Sequence, residues 1–254
     1  MNAHVITGAG SGMGKATAML LSETPDIRLI LIGRKISSLE ETKSACHPGA
    51  QVIAHAMDIR DKSAWHNLIK NILPADTDIR GVFANAGVGG ENHYGVDDRW
   101  EEIISINLTG TYVTIMELLP LLNKNKSVYR SIVITSSCLA RFGVPNYPAY
   151  CTAKTGLLGL TRSLALQLAS DKILVNAICP GWVETEMAQA GIQKLADRNG
   201  QPYDKEFATQ MSYVPLNKIS QPQEIARLVK FLFSGDQTSI TGQGIDINNG
   251  SFMI

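Results

Sequence analysis

Tyr150 and Lys154 stand four residues apart in the run Tyr150-Cys-Thr-Ala-Lys154. On a helix that spacing puts both side chains on one face, with the ammonium beside the phenol. A free phenol titrates at about 10 and is a poor acid–base group at neutral pH. A neighbouring cation stabilises the phenolate and moves the pKa towards the working range. Pro148, two residues ahead of Tyr150, suits the first turn of such a helix. Ser136 and Ser137 lie just upstream, Ser137 thirteen residues before Tyr150, at the end of an apolar strand. Their hydroxyls are placed to hold a carbonyl, because strand ends in an open parallel sheet face the ligand crevice.

A second cluster sits at the N-terminus. Thr7-Gly8-Ala9-Gly10-Ser11-Gly12-Met13-Gly14 follows a strand candidate and opens a helix rich in small and apolar residues. Glycines there let the backbone turn tightly and approach a pyrophosphate, whose charge is favoured at the helix N-terminus. Nineteen residues after Gly14, the next strand ends at Gly33, followed by Arg34 and Lys35. This position reads the adenosine ribose: an acid bonds a 2′-hydroxyl, and an arginine accommodates a 2′-phosphate. No carboxylate is present, and Arg34 offers a planar fork with Lys35 adding charge, so NADP(H) is expected in preference to NAD(H).

These residues need a scaffold that brings strand ends together. Strand candidates are His4–Thr7, Arg28–Ile32, Gln51–His55, Gly81–Ala84, Ser131–Thr135, Leu174–Ile178 and Gly244–Ile247, with helical patterns near 12–23, 36–46, 61–73, 98–123, 149–169 and 221–234. The alternation predicts an α/β fold: a three-layer Rossmann arrangement with a seven-stranded parallel, doubly wound sheet and helices on both faces. The strands are apolar throughout, as fits a sheet covered on both sides. Without repeats or linkers, 1–254 reads as one dinucleotide-binding catalytic domain. Two segments break the rhythm, the Gly-rich loop 87–96 and a more polar stretch over 183–215, the latter expected to be a mobile substrate lid.

Composition narrows the partners. Of 254 residues, Lys+Arg number 23 and Asp+Glu 23, so the net charge is zero and no basic stripe invites nucleic acid. Four scattered cysteines read as free thiols in a reducing compartment. The N-terminus lacks the pattern of a signal peptide, and apolar runs such as Leu29-Ile30-Leu31-Ile32 are too short to span a bilayer, so a cytoplasmic location off the membrane is expected. The five histidines form no HxxxH or similar cluster, and no catalytic metal is expected.

Taken together, these motifs resemble the short-chain dehydrogenase/reductase family along nearly the full chain. The family's TGxxxGxG appears as Thr7 to Gly14, its acidic residue after the third strand as Asp58, followed by Ile59, and its NNAG as Ala84-Asn85-Ala86-Gly87. The family's catalytic Asn, Ser, Tyr and Lys match Asn107, Ser137, Tyr150 and Lys154, and its Pro-Gly turn beside the nicotinamide matches Pro180-Gly181, followed by Val183 and Thr185. Departures are few: Ala84 replaces the first Asn, and Ser11 stands where some NADP-dependent members carry a basic residue. The end, Asn248 to Ile254, resembles 3-oxoacyl-(acyl-carrier-protein) reductases, whereas Val128 and Asp171 occupy the positions of that subgroup's carrier-docking arginines.

The resemblance implies hydride transfer between a nicotinamide and a ketone or secondary alcohol. Tyr150 would pass the proton, Lys154 would lower its pKa and bond the nicotinamide ribose, Ser137 would orient the carbonyl, and Asn107 would hold a water leading from Lys154 to solvent. The cofactor set is then Gly8, Ser11, Gly12, Met13, Gly14, Arg34, Lys35, Asp58, Ile59, Asn85, Ala86, Gly87, Tyr150, Lys154, Pro180, Gly181, Val183 and Thr185. Leu139, Tyr147, Trp182 and Met187 are expected to line the substrate pocket beside Ser137 and Tyr150. Family members pair the 98–123 and 149–169 helices across dimer axes. With the small residues Ala153, Gly156 and Gly159 and a charged fraction of only 18%, a homotetramer is expected. Rival readings are an NAD-dependent secondary alcohol dehydrogenase acting on a cyclic or hydroxy-acid substrate, a cofactor-binding regulator without catalysis, and a lyase or epimerase using transient oxidation.

Overall fold

β-Branched and aliphatic side chains fill seven short segments, and each of these is a strand in the computed structural model, which describes residues 1–122 and 127–253. The strands are β1 (Asn2–Thr7), β2 (Arg28–Gly33), β3 (Gln51–Ala56), β4 (Asp78–Ala84), β5 (Arg130–Thr135), β6 (Ile173–Pro180) and β7 (Gly244–Ile247). They form one parallel sheet of order β3-β2-β1-β4-β5-β6-β7. The order reverses between β1 and β4, which places a ligand crevice at their C-terminal ends.

Alternation along each strand sends side chains to two cores. Val5, Ile30, Ile32, Val82, Ile132, Ile134 and Val175 face one side with Trp65, Leu118 and Leu157, whereas Ile6, Leu29, Leu31, Phe83, Val133 and Ile178 face the other with Leu21, Leu39, Ile225 and Val229. The helices that cover them are α1 (Gly12–Ser22), α2 (Ile36–Ala45), α3 (Lys62–Asn67, continued by a π turn over Leu68–Ile72), α4 (Trp100–Leu122), α5 (Pro148–Leu168) and α8 (Pro222–Phe233). Sequence signals at their starts are used: Asp61 accepts from the Ser63 and Ala64 amides, and Gln221 with Glu224 closes a capping box on α8.

The 183–215 stretch departs from its expected character. It folds into two helices, α6 (Glu186–Asn199) and α7 (Tyr203–Ser212). Their period was hidden because only Ala188, Ile192 and Ala196 of α6 are buried, a narrow stripe on an otherwise polar helix. Asn199-Gly200, which reads as a loop, is the end of α6, with Gly200 in the left-handed conformation at φ 61°. Glu206 of α7 is fully buried and ties the two helices together by accepting from the Asn199, Gln201 and Gln210 side chains.

Helix α4 differs from the 98–123 expectation by a π turn at Ser105–Gly110, and residue 123 lies outside the described residues, as does Ile254. With 23 residues and a mean hydropathy of 1.2 over its most apolar window, α4 is long and apolar enough by composition to cross a bilayer, which the short apolar runs of the strands did not suggest. Within the fold, 44% of that window is buried, and Val113, Ile115, Leu118 and Leu122 belong to the core.

Candidate active site

The glycine loop folds as a cradle for which any side chain is too large. Gly8 takes φ 66°, and a Cβ there would lie 2.9 Å from the Ala86 Cα. A Cβ on Gly14 would run into the Gly8 carbonyl oxygen, so the first turn of α1 presses directly on the loop. Ser11 precedes α1 in an extended conformation, and its side chain makes no capping bond. The first amides of α1 therefore keep their positive partial charge for an anion.

From this cradle a cavity of about 580 Å³ runs along the strand ends. Among the cofactor residues expected from sequence, it brings together Gly8, Ser11, Gly12, Arg34, Lys35, Asp58, Ile59, Ala86 and Gly87. Met13, Gly14, Asn85, Tyr150, Lys154, Pro180, Gly181, Val183 and Thr185 do not line it. The Asn85 amide is spent on the frame: Nδ2 donates to the Thr7 carbonyl at 3.1 Å, and Oδ1 accepts from the Thr135 hydroxyl at 3.1 Å. It fastens β4 to β1 and β5, which explains why the crevice keeps its shape.

Lys15, Ser38, Glu41, Val88, Ile106 and Glu186 also line the cavity, and sequence reasoning missed them. Lys15 follows Gly14 directly, so α1 presents a third cation beside Arg34 and Lys35. The Asp58 carboxylate is held by Arg60 through Nη2 to Oδ2 at 2.6 Å and Nε to Oδ1 at 3.0 Å. That bond, more than the charge of Arg34, keeps Asp58 below the usual carboxylate range. The i, i+2 spacing of Asp58 and Arg60 was visible in the sequence as a signal for this pairing.

The chemical end adjoins the crevice. Strand β5 ends at Thr135, and its two serines serve different purposes. Ser136 donates to the Lys154 carbonyl at 2.8 Å, locking α5 to the sheet, whereas the Ser137 hydroxyl accepts from the Leu139 amide at 3.1 Å and is near enough to the Tyr150 phenol to pull its pKa down. Lys154 is 4% exposed, donates from Nζ to the Thr135 carbonyl at 2.8 Å, and has that nitrogen 5.5 Å from the Tyr150 ring centroid. The nitrogen also borders the crevice, since a Cβ on Gly87 would lie 3.6 Å from it.

The titration of this pair departs from the expected coupling. Burial pushes the Tyr150 phenol up to about 12, against the downward pull of the Ser137 hydroxyl, and burial pushes the Lys154 ammonium down to about 8. Burial thus opposes the coupling expected between the ammonium and the phenol, and Nζ is anchored on the Thr135 carbonyl. Asn107 is fully buried, Oδ1 accepting from the Val88 amide at 2.8 Å and Nδ2 donating to the Val88 carbonyl at 2.9 Å, so its amide clamps loop 87–96.

The expected substrate residues lie on several segments, and Tyr147 is the one in contact with Tyr150. The Tyr147 ring meets Tyr150 edge to face at 6.4 Å. Leu139 lies in the short turn after Ser137. Trp182 packs its indole against Gly191 of α6, and Met187, half exposed, reaches loop 87–96 with its sulfur beside Gly89. Thr185 caps α6 by accepting from the Ala188 amide at 3.3 Å, and its methyl lies against Gly12 of the cradle. Pro180 ends β6, Gly181 follows it close to Asn248, and Val183 is buried. Helix α6 thus starts against the glycine cradle.

A glycine cradle at the switch point of a parallel sheet, with a Ser–Tyr–Lys set that reaches it through Lys154 beside Gly87, is the arrangement of a dinucleotide-dependent oxidoreductase. The chain belongs to the short-chain dehydrogenase/reductase family: the family model described as enoyl-(acyl carrier protein) reductase matches residues 8–251. An uncharacterised oxidoreductase of Bacillus subtilis is 33% identical over 251 residues, covering 97% of this chain and 89% of the relative. The 3-oxoacyl-(acyl-carrier-protein) reductase of Thermotoga maritima is 28% identical, covering 97% of this chain and 96% of its own. Among solved structures, actinorhodin polyketide ketoreductase with NADPH superposes with a TM-score of 0.90 at 26% identity, covering 98% and 97% of the two chains. The protein is accordingly an NAD(P)-dependent dehydrogenase/reductase.

Proposed function

We propose that this protein reduces a ketone or a 3-oxoacyl thioester with NADPH. The observation that carries the reading is the set Ser137, Tyr150 and Lys154, with Ser137 and Lys154 buried, Tyr150 half-buried and the Lys154 nitrogen beside Gly87 of the glycine crevice. When bound, the reduced nicotinamide supplies the hydride. The chain does the rest. Ser137 orients the carbonyl, Tyr150 donates its proton to the carbonyl oxygen, and Lys154 holds a positive charge beside the phenol as the alkoxide is quenched. Gly8, Ser11, Gly12 and the start of α1 would hold the pyrophosphate, and Lys154 the nicotinamide ribose. Asn107 would serve by fixing the loop that borders Lys154.

Arg34, Lys35 and Lys15 on the cavity lining support NADP(H) over NAD(H), because a 2′-phosphate adds charge for them to meet and β2 runs out into Gly33-Arg34-Lys35 without a carboxylate. Arg34→Ala is expected to raise the Kd for NADPH about tenfold or more, the scale of one charge-assisted hydrogen bond, with NADH changed less than about twofold. Equal losses for both cofactors, read by fluorescence titration, would remove Arg34 from the phosphate-reading role.

A homotetramer through α4 and α5 is part of the proposal. Gly156 packs inside the subunit against Leu108, but Gly159 faces open space, and Tyr112 and Leu166 are 48% and 84% exposed on these helices. The four free thiols support a reducing, cytoplasmic compartment. An NAD-dependent alcohol dehydrogenase is the second reading, in which the same Tyr150 takes the proton from the alcohol. The deciding assay follows nicotinamide oxidation with a 3-oxoacyl thioester and a cyclic ketone. Turnover with NADPH is expected; consumption with neither cofactor across both substrates would sink the reading.

A further inference from the structure

Loop 87–96 buries one polar side chain outside the catalytic set. Asn92 is 6% exposed, and its polar atoms reach three separate segments. Its Oδ1 accepts from the Ala149 amide at 2.9 Å, its Nδ2 donates to Asp98 Oδ1 at 3.1 Å, and its own amide donates to the Asn146 carbonyl at 2.9 Å. The same Asp98 oxygen accepts from the Trp100 amide at 3.0 Å. The first amides of a helix have no partner within the helix. Here one Asn–Asp pair supplies the missing acceptors to both helices that carry the reaction, α5 with Tyr150 and Lys154 and α4 with Asn107.

The placement matters because Tyr150 is the third residue of α5, inside the turn that Asn92 caps, whereas Lys154 sits one turn deeper and is anchored on Thr135. An uncapped first turn frays, and Tyr150 then moves relative to both Lys154 and Ser137. The rest of the loop has its own anchors, since Arg99 donates to the Gly89 carbonyl at 3.1 Å and Asn107 clamps Val88. Loss of the Asn92 bonds therefore acts on the start of α5 and leaves the loop in place.

We propose that the Asn92–Asp98 pair is a brace that sets the distance between the proton donor Tyr150 and the groups that tune it, so that Asn92 is a positioning residue for the reaction; this rests on the acid role proposed for Tyr150. The pair also dictates its own test. Asn92→Asp puts two carboxylates in contact and removes the donor between them. Asp98→Asn keeps an acceptor for both Trp100 and Asn92. The double swap, Asn92→Asp with Asp98→Asn, restores one donor and one acceptor with the direction reversed.

Two readouts are made on the full-length protein. In hydrogen exchange, the Ala149 amide of Asn92→Ala should exchange at least about tenfold faster than wild type, the scale expected for a lost cap, and the double swap, which keeps the acceptor, should exchange at the wild-type rate. In turnover, Asn92→Asp should lose about 10- to 100-fold in kcat, the cost of a small misplacement of a reacting group, with the KM for NADPH unchanged within about twofold, while Asp98→Asn and the double swap stay near wild type. Unchanged exchange in Asn92→Ala, a double swap with kcat no better than that of Asn92→Asp, or equal effects on kcat and cofactor KM would each overturn the brace. If Tyr150→Phe stays active, the acid reading fails and the exchange experiment still decides whether Asn92 caps α5. If Tyr150→Phe is inactive and Asn92→Asp is not impaired, the brace alone fails.

Discussion

Replacing Tyr150 with Phe is expected to lower kcat by about 10²- to 10⁴-fold, the range that a positioned general acid contributes. The ring stays, so its edge contact with Tyr147 and its burial are kept. Only the phenolic oxygen goes, and with it the proton that must reach the carbonyl oxygen as hydride arrives at carbon. Ser137 loses a polar neighbour but keeps the bond it accepts from the Leu139 amide, which limits the stability cost to about 1 kcal/mol. Cofactor affinity should be nearly unchanged, because the crevice lined by Gly8, Ser11 and Arg34 is not altered. Steady-state kinetics, with a thermal melt to show a folded protein, check the result. A variant that keeps more than a tenth of wild-type kcat would end the assignment of Tyr150 as the acid.

Lys154→Met should separate activity from stability. The ammonium is 4% exposed, and burial lowers its pKa from 10.5 to about 8. At pH 7 the group is protonated both folded and unfolded, so the folded state bears the full cost of the shift, up to about 3 kcal/mol at 1.4 kcal/mol per unit. Between about 8 and 10.5 the folded protein has released the proton and the unfolded chain still holds it, so stability rises with pH across that window. Methionine removes the buried charge but leaves the Thr135 carbonyl without its donor, an opposing loss of about 1–3 kcal/mol. The net expectation is a Tm at pH 7 no lower than wild type, with kcat reduced about 100-fold or more. In wild type, ketone reduction should fall as pH rises through about 8, where Lys154 gives up its charge. A large loss of Tm in Lys154→Met, or a reduction rate that stays level well above that pH, would show that the buried cation is not the group at work.

Several features of the site were legible because they are local. The strand, glycine loop and helix at Thr7–Gly14 follow one another in the chain, and the cradle needs only that order. Tyr150 and Lys154 share a helical turn, and Arg34 directly follows β2. The two lid helices were not legible, because a three-residue buried stripe on a polar background carries too little period to stand out from a loop. Lys15 and Glu186 gave no signal either, since whether a charged side chain lines a crevice depends on segments far away in sequence.

The sequence by itself determined the alternating α/β order, the apolar strands that both faces of a sheet require, and the identity of the groups able to move a proton or meet a phosphate. All of these follow from short-range periodicity and residue chemistry. Only the tertiary structure decided how those groups are used. Register at the end of β5 sends the Ser136 hydroxyl to the helix backbone and brings the Ser137 hydroxyl near the phenol. Enclosure by several segments sets the titration of Tyr150 and Lys154, moving the phenol up and the ammonium down. The Asn107 amide is committed to Val88, and Asn92 to the starts of α4 and α5, by contacts between residues 19 and 57 positions apart. Burial and long-range hydrogen bonding are properties of the packed chain, and no local pattern encodes them.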